Sequence, residues 1–97
     1  MTVARHYVMR AADGKEEALE QALRNLADTV RTIPGSLGVE LLRDQADASR
    51  FFFIERWESV EAHKDGGKSL PKEAMAPLGA ALAGAPEASW LDCLATA

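Results

Sequence analysis

Residues 3–11 alternate as a β-strand would, with Arg5, Tyr7 and Met9 on one face and Ala4, His6, Val8 and Arg10 on the other. Neither face is purely polar. Leu19, Leu23, Leu26, Val30 and Ile33 then recur at helical spacing, one apolar stripe on a predicted helix of about five turns. Asp13 followed three positions later by Glu16 has the form of a capping box at its start, and Pro34-Gly35 ends it. Residues 37–43 and 50–58 read as two strands joined by a short polar connection, which predicts an antiparallel hairpin. Ser59 caps a further helix that Gly66-Gly67 interrupts, and Leu70-Pro71 opens another piece with a weak stripe of Met75, Leu78 and Leu82. Pro77 is expected to kink or break that piece, and residues 88–94 form a last short strand.

The segment Phe51-Phe52-Phe53-Ile54 departs from simple amphipathic alternation. Phe51 and Phe53 point one way and Phe52 and Ile54 the other, so both faces of this strand are apolar. A chain of this size has helices enough to cover one face of a sheet, so the second face calls for a partner, most simply another copy of the chain. The order strand, helix, strand, strand, helix, strand predicts an α+β, ferredoxin-like βαββαβ fold: a four-stranded antiparallel sheet, helices on one face, and a homodimeric barrel through the other. One domain over residues 1–97 is expected.

Composition narrows the functions open to such a fold. The 97 residues are 47% hydrophobic and 27% charged, with a formal net charge of -4. A mildly acidic surface without basic clusters argues against nucleic-acid binding. The first residues show no secretory pattern and no apolar run reaches membrane-spanning length, so a cytoplasmic protein is expected, with no membrane partner. His6, His63 and the lone Cys93 have no ligand spacing, so no metal site is predicted, and Cys93 reads as a small buried hydrophobe. Gly66-Gly67-Lys68-Ser69 lacks the earlier glycine and preceding strand of a phosphate loop; it reads as a helix connection or a flap.

The run Glu55-Arg56-Trp57-Glu58-Ser59, with Glu61-Ala62 after it and Pro34-Gly35 before it, resembles the antibiotic biosynthesis monooxygenase family. The resemblance implies a dimeric ferredoxin-like barrel with a pocket between helices and sheet in each subunit. It also implies cofactor-independent oxidation of a polycyclic phenol, anthrone or quinol by molecular oxygen, with a small aromatic substrate and no cofactor. Trp57 maps to a pocket tryptophan of some members, and strand parity adds Phe53 and Glu55; Tyr7 lies where some relatives carry a polar pocket residue, and Met75 is a further pocket-filling candidate. The chain departs from the family pattern with Gly66 near a position where many members have His, and with Phe53 where some oxygenases have Asn. Haem degradation, another activity in the family, lacks a suitable axial histidine here.

Such chemistry needs a base, a dry pocket and groups that stabilise an anion. His63 is the candidate base, with Tyr7 and Trp57 as hydrogen-bond donors to a flat ring. Plainer readings stand beside these: Trp57 as core, His63 as a solvated residue on a first helical turn, His6 as an interface residue, and Glu55 as a carboxylate partnered by Arg5. The corresponding alternative function is a non-catalytic dimeric ligand-binding or structural module of the same fold.

Overall fold

The computed structural model describes residues 2–95, so both ends of the expected 1–97 unit lie outside it. Its elements are β1 (Val3–Arg10), α1 (Glu16–Val30), β2 (Ser36–Arg43), β3 (Arg50–Trp57), α2 (Val60–Gly67), α3 (Lys72–Ala81) and β4 (Glu87–Asp92). The sheet order is β2-β3-β1-β4, antiparallel throughout. This is the ferredoxin-like arrangement, with the second helical segment in two pieces as the glycine pair predicted.

One face of the sheet carries Val3, Met9, Phe51, Phe53 and Trp57, which pack on Leu19, Leu23, Leu26 and Val30 of α1 and on Leu78 of α3. These are the inward residues of the alternation and the stripe of the helix, and burying them excludes water from both surfaces at once. The opposite face carries Ala4, His6, Val8, Phe52 and Ile54, with no helix among the described residues over it. Leu42 and Leu91, at 48% and 47% exposure, extend that apolar surface onto β2 and β4.

Several local expectations change. The α1 cap residue is Lys15 and no side chain caps the helix, so the Asp13–Glu16 box does not form; Gly14, at φ 75°, turns the chain there instead. α1 ends at Val30, and Ile33 reaches the core from the turn that follows. Helix α3 runs unbroken through Pro77, whose neighbours Leu78 and Ala81 are held in the core. Cys93 is half-buried rather than core, because it follows β4 in the phase of Leu91, on the sheet face away from the helices. The Ser59 cap forms as predicted, its Oγ accepting from the Ala62 amide at 3.1 Å.

Candidate active site

Two strands and one helix build the site. In the β1–β3 register Tyr7 lies opposite Phe53 and Arg5 opposite Glu55, so four inward side chains form one patch with Trp57 at its end. The Ser59 cap starts α2 directly after β3, and one turn later His63 falls back over this patch. All six residues singled out from sequence line one cavity of about 140 Å³: Tyr7, Phe53, Glu55, Trp57, His63 and Met75. Leu26, Val30 and Leu78 supply its apolar wall, while Gly67, Leu70, Met75 and Pro86 lie toward the exposed rim.

Glu55 is the chemical centre of the patch. It is 5% exposed, and its Oε1 accepts the indole N–H of Trp57 at 3.0 Å. The same oxygen lies 3.5 Å from His63 Nε2, and the Tyr7 hydroxyl lies 3.3 Å from that nitrogen. Arg5 Nε donates to the Tyr7 hydroxyl at 3.4 Å. The partner of Glu55 is therefore Trp57, not Arg5, and the Trp57 N–H is engaged by the protein rather than free for a substrate. His63 is mostly buried, edge-on to Trp57 with ring centres 5.4 Å apart, so it is not a solvated surface residue.

Burial opposes charge on both partners. It pushes the Glu55 carboxyl above its ordinary value, with the Trp57 hydrogen bond and then the positive charge of Arg5 pulling the other way. Burial lowers His63, and the charge of Arg5 lowers it further. Burial likewise raises Tyr7 against the hydrogen bond from Arg5. Burial thus works against charge on both members of the close Glu55–His63 contact. His63 Nδ1 is buried without a partner, so one ring nitrogen stays unpaired whichever tautomer is present.

One aromatic residue of this environment escaped the reading from sequence. Trp90 of β4 lies edge-on to His63 at 4.8 Å, and the Arg5 guanidinium sits over its indole at 4.7 Å. The Arg5–Trp90 pairing follows from the β1–β4 register, which no short-range pattern in the chain reveals. His6 lies on the other face of the sheet beside Phe52, away from the cavity. Among the described residues no cluster of His, Cys, Asp and Glu has the geometry of a metal site. A larger groove of about 500 Å³ between α1 and β2 is lined by Glu20, Arg24 and Arg43, which pair with one another, and holds none of these buried titratable groups.

The arrangement is a mostly apolar cavity with a tyrosine, a histidine and a carboxyl converging at one end. A family model described as "Antibiotic biosynthesis monooxygenase" matches residues 2–69. The chain belongs to the antibiotic biosynthesis monooxygenase family. Solved structures agree with this over nearly the whole length. PA3566 of Pseudomonas aeruginosa is 27% identical, with 97% of this chain and 95% of that one covered at a TM-score of 0.85. A protein of Chloroflexus aurantiacus J-10-fl is 25% identical, covering 100% and 97% at 0.85. A variant of SnoaB, described as a cofactor-independent oxygenase from Streptomyces nogalater, is 18% identical and shares the fold at 0.82, with 98% and 95% covered. No curated protein matches the chain significantly. Like these family folds, the chain is built on a sheet and short helices, and no helix among the described residues is long and apolar enough to cross a membrane.

Proposed function

We propose that this protein oxidises a phenol, anthrone or quinol with molecular oxygen, using its own side chains and the substrate's electrons rather than a metal or flavin. The observation that carries this is the convergence of Tyr7, His63 and Glu55 at the polar end of an otherwise apolar cavity. Membership of the family and the description of SnoaB as a cofactor-independent oxygenase support the reaction class. His63, whose neutral form burial and the charge of Arg5 favour, takes the proton from the substrate hydroxyl or activated C–H. The resulting anion passes an electron to oxygen, the two radicals join through a new C–O bond, the proton held by His63 passes to the peroxide, and loss of water leaves a quinone from a phenol or anthrone and a hydroxyquinone from a quinol. One oxygen atom ends in the product and the other in water, all electrons coming from the substrate. Tyr7, supported by Arg5, stabilises the substrate oxyanion, while Glu55 holds Trp57 and His63 in place.

The protein acts as a homodimer in this reading. Ala4, His6, Val8, Phe52 and Ile54 form an uncovered apolar sheet face extended by Leu42 and Leu91, and a second copy offers the same surface. The unit spans the whole chain as one domain and works in the cytoplasm.

Oxygen uptake with a panel of anthrones and quinols, corrected for uncatalysed autoxidation, tests the reaction. Native protein should accelerate uptake, and His63→Ala and Tyr7→Phe should slow it; equal rates with native and His63→Ala protein would refute the assignment of the base. A non-catalytic ligand-binding module of the same fold is the second reading, favoured by Phe53, an apolar side chain fully buried in the cavity wall. Binding of panel members without acceleration would decide for it.

A further inference from the structure

We infer that the cavity selects a single-ring phenol or hydroquinone over fused-ring substrates. The inference takes its substrate chemistry from the oxygenase reading and its size limit from the cavity itself. The cavity, open to solvent at its rim, has a volume of about 140 Å³. An apolar cavity of about 150 Å³ lined by Leu, Ile and Phe holds one benzene molecule, and ordinary ligand pockets begin near 300 Å³. One aromatic ring therefore fills this space, and a fused second ring would have to project through the open rim past Leu70 and Met75.

The walls that set the limit are fixed by the fold. Phe53 and Trp57 are fully buried on the central strand β3, and Leu26 and Val30 are buried on α1. Trp57 is held from one side by Glu55 and from the other by Gly66, where even an added Cβ would come within 3.0 Å of the indole. The large apolar side chains at the rim are Leu70, half-buried, and Met75, 40% exposed. A ring lying among the apolar walls with one hydroxyl at Tyr7 and His63 satisfies both ends of the cavity.

The size limit makes a prediction opposite to that of hydrophobicity. Anthrone carries more apolar surface than hydroquinone, so a pocket without a steric limit binds anthrone more tightly. Titration of native protein with hydroquinone, dihydroxynaphthalene and anthrone under argon, read by the Trp57 indole N–H resonance, measures the order. Oxygen uptake with the same three compounds is then measured separately. Hydroquinone should bind at least about tenfold more tightly than anthrone, and a Leu70→Ala/Met75→Ala variant should narrow that ratio by admitting the second ring. Anthrone binding as tightly as hydroquinone to native protein overturns the size limit, and so does the absence of any Trp57 shift. A hydroquinone-selective shift without oxygen uptake upholds the size limit and sinks the oxygenase reading. Uptake with anthrone but not hydroquinone does the reverse.

Discussion

Gly66 and Gly67 are adjacent in the last turn of α2, yet substituting each by alanine should have opposite effects. A Cβ on Gly66 would lie 2.7 Å from Ile33 Cγ2, 3.0 Å from Trp57 Cη2 and 3.3 Å from Trp57 Cζ3. Trp57 cannot recede, because it is 2% exposed and its N–H is bonded to Glu55. Overpacking of this kind costs about 1–3 kcal/mol, and alanine's lower conformational entropy returns about 0.5–1 kcal/mol. Gly66→Ala should therefore lose about 1–2 kcal/mol, which lowers Tm by roughly 5–15 °C in a chain of this size. At Gly67 a Cβ meets nothing within 4 Å, so Gly67→Ala should keep only the entropic gain, up to about 1 kcal/mol. Urea unfolding followed by tryptophan fluorescence, at one protein concentration, gives both values. A Gly66→Ala protein as stable as native would refute the closure of Trp57 and Ile33 on this glycine, and with it the rigid wall assigned to the cavity.

Glu55→Gln keeps an acceptor for the Trp57 N–H but removes a carboxyl whose folded pKa is raised. Native stability relative to this variant should fall as pH rises from the unfolded value of about 4.3 through the raised folded one; parallel stability curves across that range would contradict the burial argument. If His63 is the base, His63→Ala should lower kcat/KM by about 10²–10⁴-fold. The acid limb of the native profile should then lie below the ordinary imidazole value of about 6.5, because burial lowers this histidine; a limb above that value would disprove it. Ile54→Lys places a charge in the centre of the uncovered sheet face and should convert a dimer to monomer in sedimentation at micromolar concentration, whereas an unchanged mass would move the interface elsewhere.

Strand faces were legible because side-chain alternation is a property of the backbone: Phe51 and Phe53 are core, and Phe52 and Ile54 lie on the uncovered face. The Ser59 cap and the break at the glycine pair were legible for the same local reason. Local signals misled where tertiary packing opposed them. The capping box at Asp13 gave way to a glycine turn, and Pro77 stays inside α3, where the core contacts of Leu78 and Ala81 hold the helix against the lost amide.

The partnership inside the site shows the same division more sharply. A carboxylate between Phe53 and Trp57 had to find a partner, and sequence alone requires that much because an unpaired buried charge is costly. Which partner it found was decided by tertiary structure. The indole N–H lies two residues along the same strand, Arg5 donates to the Tyr7 hydroxyl two residues along its own strand although the β1–β3 register sets it opposite Glu55, and the start of α2 lays His63 over both pairs. The alternation of residues along this chain determined its faces, its element order and its inward candidates. The register between strands distant in sequence, and the return of α2 across the sheet, decided how these strand-local pairs meet one another, His63 and Trp90, because both depend on long-range packing that no local spacing encodes.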